Sequence, residues 1–253
     1  MKIDVHNHIG YDSANDENRT YEELLEEMES AGVDKCVIFP FTSNPDIIEQ
    51  NEFIKKACEN KPQQLIAFAS INPKLPNMTE LIYEYHKLGF KGIVTDPRYG
   101  VDHGEKLFHE TMECAYTLDM PVWLHSDDKE TIMVPISHME SMMNKYPQIK
   151  FILSSVYYDS VGIASRHRNV YIDTAVFELG QDLVKVLQPI GAHRILMGSH
   201  TPYGMLKREV DKINISLEFS DYQKSLIFWR NTNKLLNLGL DESENTLNGK
   251  SNK

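Results

Sequence analysis

The chain has 253 residues, 41% of them hydrophobic and 25% charged, the balance of an ordinary globular protein with length enough for a large core. Its 26 lysines and arginines against 37 aspartates and glutamates leave a formal net charge of -11 with no basic stripe, which excludes nucleic-acid binding through phosphates. No apolar run reaches the roughly 18 residues a membrane helix needs, and Cys36, Cys58 and Cys114 are widely spaced without a Cys-x-x-Cys pair, so a cytoplasmic protein with reduced, packed cysteines is expected.

The first predicted strand, Lys2 to Val5, runs straight into His6 and His8. Side chains two apart on an extended segment share a face, so both imidazoles can converge on one transition-metal ion from the strand's C-terminal end. A polar loop from Tyr11 to Arg19 follows. Thr20 with Glu23 then forms a capping box for a helix whose stripe is Leu24, Leu25 and Met28, ending near Gly32. Cys36 to Phe39 reads as a second strand, apolar throughout as in a sheet covered on both faces.

The same alternation repeats. A helix from about Pro45 to Asn60 precedes strand three at Leu65 to Ala69, and one from Thr79 to Leu88 precedes strand four at Gly92 to Val94. A helix from Glu105 to Leu118 precedes strand five at Pro121 to Leu124; strands six, seven and eight are Phe151 to Leu153, Val170 to Ile172 and Ile195 to Met197. The methionines between Met133 and Met143 have helical spacing and predict packing. Ser220 with Gln223 caps a closing helix, Tyr222 to Leu238. Eight strands alternating with helices in this length fit a single-domain (β/α)8 barrel of α/β class over residues 1–238, with 239–253 a polar, frayed tail.

Such barrels carry their active sites where the strands end. Strand five ends in Trp123-Leu124-His125 and strand eight in Gly198-Ser199-His200, so with His6 and His8 four imidazoles meet at one mouth. One divalent transition metal is expected there, Zn2+ first, with Mn2+ or Fe2+ as alternatives. Asp96, Arg98 and Tyr99 follow strand four; Arg98 either grips a substrate carboxylate bidentately or makes a loop salt bridge. Asp127 and Asp128 lie just after His125, as a base or a helix cap. Tyr157, Tyr158, Phe39 and Phe41 are wall or core aromatics, His103 is a loop histidine near the mouth, and His193 falls at the start of strand eight, away from the chemistry.

The sequence resembles the amidohydrolase superfamily, within it the amidohydrolase-2 group that also contains decarboxylases related to aminocarboxymuconate-semialdehyde decarboxylase. The likeness runs from Asp4-Val5-His6-Asn7-His8 through Gly89-Phe90-Lys91-Gly92-Ile93 and Asn169-Val170-Tyr171-Ile172-Asp173-Thr174 to Arg194-Ile195-Leu196-Met197-Gly198-Ser199-His200-Thr201-Pro202. It implies His6, His8 and His125 as metal ligands. Two positions depart from the family pattern: His200 stands where an aspartate follows strand eight, and Leu153-Ser154-Ser155 stands where a histidine follows strand six. A histidine bound to metal through one nitrogen keeps a proton on the other, so His200 is either a fourth ligand or the base. Asp127 is a nearby carboxylate to replace a missing base, and Ser155 can donate a hydrogen bond without charge. The resemblance implies a metal-dependent hydrolase acting on a C–N or C–O bond of a small, carboxylate-bearing substrate. A decarboxylase or other lyase is the alternative, as is a non-catalytic binding protein. The expected partner is that small molecule, with no nucleic acid or membrane; homo-oligomers are common among such barrels, though no interface signal is visible.

Overall fold

Eight strands run parallel in one sheet: β1 (Ile3–His8), β4 (Lys35–Phe39), β5 (Leu65–Ile71), β6 (Gly92–Thr95), β7 (Val122–Leu124), β8 (Phe151–Leu153), β9 (Val170–Asp173) and β10 (Ile195–Leu196), each beside the next. The computed structural model describes residues 1–41, 46–96, 106–125, 136–154, 160–175, 188–216 and 218–240. The order wraps round because β1 meets the far end of the sheet: Val5 N donates to Met197 O at 2.9 Å, His8 N to Thr201 O at 2.8 Å, and Thr201 N to His6 O at 3.2 Å. This is a (β/α)8 barrel in a single domain.

Helices α1 (Tyr21–Ala31), α2 (Ile47–Asn60), α3 (Met78–Lys87), α4 (Lys106–Thr117), α5 (Ile136–Lys145) and α6 (Ser160–Arg166) connect successive strands. α1 starts as its sequence demands. The Thr20 side chain accepts from Glu23 N, the Glu23 carboxylate accepts from Thr20 N, and Gly32 ends the helix in a left-handed conformation. The strands are buried on both faces, with Trp123, Phe39, Phe68 and Phe151 among the largest side chains sealed inside. Met139, Met142 and Met143 are buried on α5, as packing methionines; Met133 lies outside the described residues. Cys36 and Cys114 are buried, Cys58 partly so, and none is in a disulfide. No helix among the described residues is long and apolar enough to cross a membrane.

Three local readings change. The Tyr11 to Arg19 loop contains an antiparallel hairpin, β2 (Gly10–Asp12) with β3 (Glu17–Arg19). A helix α7 (Leu206–Ile215) follows the last strand. The closing helix is not continuous: α8 (Asp221–Ser225), capped by Ser220 and Gln223 as expected, widens into a π-helical turn at Leu226–Arg230 before α9 (Asn231–Leu235). Over that turn the Ile227 carbonyl accepts from Met197 N at 3.0 Å, so the last strand is tied to the closing helix as well as to β1. Leu240 N and O are both bonded to the Asn233 side chain, so the chain stays attached past Gly239; residues 241–253 lie outside the described residues.

Arg194, just before β10, is buried and spends its guanidinium on backbone. Nη1 donates to the carbonyls of Ala164, His167 and Val170 at 2.6, 2.7 and 3.0 Å, and Nη2 to Ile190 O at 3.2 Å. Replacing it by methionine strands these acceptors, and a loss of about 3 kcal/mol in urea unfolding is expected; a loss below about 1 kcal/mol would contradict the assignment.

Candidate metal centre

β1 does not run in even register. Asp4 pairs with Cys36 and Asn7 with Ile38, so three steps along β1 oppose two along β4, a β-bulge between Asp4 and Asn7. The bulge reverses the side-chain alternation. Asp4 and Asn7 share one side, where Asn7 Nδ2 donates to Asp4 Oδ1 at 2.8 Å, while His6 and His8 share the other and face the barrel mouth. Asp4 also accepts from His6 N at 2.8 Å and so pins the bulged residue. Burial pushes its carboxyl up to about 7, against hydrogen bonds from His6, Ser199 and Asn7 that pull it down.

Among the described residues, His6, His8, His125 and His200 bring one ligand nitrogen each to within 4.8 Å of one another. At the usual metal–imidazole distance, nitrogens round a tetrahedral ion stand about 3.4 Å apart, so the set would close on one ion with side-chain shifts of up to about an ångström. His6 Nε2 and His125 Nε2 are 2.9 Å apart, an approach that needs a proton or a shared cation between them. The donor set fits a divalent transition metal. Phe39 lies 5.7 Å from His6 and 4.6 Å from His8 between ring centres, and Trp123 lies 4.8 Å from His6, which gives the cluster an aromatic floor. Phe41 stacks on His8 at 5.1 Å, and Tyr203 stands edge-on to His200 at 5.1 Å.

His200 holds φ at +60°, the left-handed region that few side chains other than glycine adopt readily. The turn sits between two backbone ties, Thr201 N to His6 O at 3.2 Å and Gly204 N to His200 O at 2.8 Å. The strained residue is therefore the one whose ring joins the cluster.

A carboxylate touches the cluster. Asp173, the last residue of β9, has Oδ2 2.5 Å from His6 Nδ1, with both side chains fully buried. The contact exists because Gly198 leaves room: a Cβ there would lie 2.8 Å from Asp173 Cβ and 3.1 Å from His6 Cβ. Behind it, Thr174 O accepts from Lys212 Nζ at 2.5 Å, Thr174 Oγ1 bonds the Glu209 carboxylate, and Lys212 and Glu209 pair at 2.7 Å inside α7. Burial raises the Glu209 carboxyl to about 8, opposed by the neighbouring ammonium.

Of the residues singled out from sequence, the four histidines come together and His193 sits exposed before β10, away from the mouth. Asp96 is buried where β6 ends. Arg98, Tyr99, His103, Asp127, Asp128, Ser155, Tyr157 and Tyr158 lie outside the described residues. Asp173 received no role from the sequence, although it ends a strand as His125 follows one.

A family model described as amidohydrolase matches residues 3–238. No curated protein matches the sequence. The fold is shared with 5-carboxyvanillate decarboxylase from Sphingomonas paucimobilis, at TM-score 0.76 and 14% identity over 93% of this chain and 98% of that one. It is also shared with a dihydroxybenzoic acid decarboxylase from Polaromonas sp. JS666, with bound manganese and the inhibitor 2-nitroresorcinol, at 0.75 and 18% over 95% and 98%. 4-Oxalomesaconate hydratase from Rhodopseudomonas palustris matches at 0.72 and 16% over 94% and 96%.

Burial, then the neighbouring imidazoles, hold His6 well below 6.5; burial and His8 hold His200 at about 4, against an opposing pull from Asp173. The unfolded chain takes up protons below about pH 6.5 that the metal-free fold refuses. These two groups therefore leave stability undiminished above that pH and erode it as the pH falls toward 4. In thermal melts of metal-free protein, Tm should fall from pH 7 to pH 5, and His200→Gln should make the fall shallower. Identical slopes would contradict a buried, neutral His200.

Proposed function

Since the chain belongs to the amidohydrolase family, we propose that it is a metal-dependent decarboxylase of a small organic acid. The observation that carries this reading is how the carboxylate at the site is used. Hydrolysis at a single-metal centre needs a base beside the attacking water. Among the described residues, the cluster takes an imidazole, His200, from the segment after β10, and Asp173 has its Oδ2 on His6 Nδ1. Decarboxylation adds no water across the bond it breaks and makes no such demand. The expectation of a hydrolase gives way on this point, and the decarboxylases among the similar structures support the change.

His6, His8, His125 and His200 would hold the ion, which would polarise a substrate oxygen and offset the charge developing as carbon dioxide leaves. An all-imidazole set suits Zn2+ or Fe2+ better than Mn2+, the ion in the Polaromonas enzyme, so Zn2+ is our first choice. In the reaction the C–C bond to the carboxylate breaks, its electron pair stays on carbon, and a proton from solvent takes the vacated place. His200, kept neutral by burial near pH 7, would give its lone pair to the ion and does not donate that proton. Phe41 and Tyr203 flank the rings of His8 and His200 and offer flat apolar surface to a planar substrate. Arg98, Tyr99 and Tyr157, all outside the described residues, are proposed to meet the substrate, Arg98 through the substrate's carboxylate; Asp127 and Ser155, outside them too, are proposed as further polar groups of the reaction.

The test is a paired assay of metal-loaded protein, one arm carboxyl-labelled hydroxybenzoates and short unsaturated acids, the other esters, amides and lactones. Labelled carbon dioxide from at least one acid, abolished by chelator, is expected. Turnover confined to the hydrolytic arm would overturn the proposal, and metal-replete protein inactive in both arms would favour a non-catalytic binding protein.

A further inference from the structure

Four neutral imidazoles round a dication leave two positive charges in a pocket where His6 and His8 are fully buried, and buried charge is costly unless something compensates it. The geometry points to Asp173 as the compensating group: we propose that it acts through His6 as the positioning residue that directs Nε2 at the ion and supplies the site's negative charge. The inference rests on the metal reading above.

Three independent features carry it. The 2.5 Å contact is made at Nδ1, so the ring's other nitrogen is the one turned into the cluster, 2.9 Å from His125 Nε2. A carboxylate on Nδ1 fixes the proton there, leaves the Nε2 lone pair for a ligand, and makes the ring a stronger donor. The contact is also built for rather than incidental. Gly198 supplies the gap, and a methyl group there would press on Asp173 Cβ, Asp173 Oδ2 and His6 Cβ together. Finally, the carboxylate is held from its own strand. Asp173 Oδ1 accepts from Ala175 N at 3.3 Å, and the next residue, Thr174, is gripped by Lys212, by Glu209 and, at 3.3 Å, by Gly198 N. A group braced on this scale is oriented, not merely neutralised. The charge that His200 does not bring to the mouth thus arrives one strand earlier and one imidazole ring further from the ion.

The test reconstitutes metal-free full-length protein with Co2+, reading affinity by chelator competition and geometry by the visible absorption bands. Asp173→Asn keeps the shape and removes the charge. It should weaken Co2+ binding by about 10- to 100-fold while the metal-free melting temperature changes little. Adding His200→Asp in the same chain should recover most of the loss, because it returns a carboxylate to the cluster. Asp173→Asn binding Co2+ within twofold of wild type overturns the inference alone; wild type that binds no Co2+ overturns it together with the metal site. Should Asp173→Asn fail to fold, long-range 1H–15N spectra of wild type decide: His6 must carry its proton on Nδ1, and a proton on Nε2 overturns the proposal.

Discussion

The backbone ties between β1 and the segment after β10 are the constraint on which the site depends. Val5 N to Met197 O and His8 N to Thr201 O close the sheet, and the closing residues flank the site residues themselves. His6 and His8 lie within the first strand, Gly198 and His200 just beyond the last, so one row of hydrogen bonds both finishes the barrel and sets the distance between its histidines. The π-helical turn serves the same junction from outside, since the Ile227 carbonyl accepts from Met197 N while Asn231 Nδ2 donates to Ala192 O and Ile195 O. Stability and site geometry are therefore not separable at this seam.

Electrostatics explains the rest of the arrangement. Burial keeps His6 and His200 in their neutral form. The acidic groups sit one layer back, Asp173 on His6, Asp4 under the bulge and Glu209 against Lys212. Among the described residues the four clustered side chains are all imidazoles, so on the proposed reading negative charge would reach the ion through rings and hydrogen bonds rather than by direct ligation.

The barrel was legible because its signals are periodic and local. The Thr20 and Ser220 capping boxes, the apolar strands and the histidines at strand ends each follow from a few neighbouring residues. What escaped is non-local. A bulge shows only when β4 is laid beside β1, and nothing in Lys2 to Val5 alone marks it. Asp173 gains meaning only from a contact 167 positions away in sequence. The π turn within Tyr222 to Leu238 is invisible to helical spacing, and the hydrogen bond that Ile227 O accepts over it comes from another element. The strands of the Gly10–Arg19 hairpin are too short and polar to register as strands.

The most direct measurement is metal content per chain by elemental analysis, on wild type and His8→Ala purified in parallel without chelator and reloaded with Zn2+. The account predicts one ion per wild-type chain and a large loss in the variant, whose fold by circular dichroism is unchanged. Wild type that holds no ion after reloading, or a His8→Ala variant that holds as much, would contradict a metal centre built from these histidines.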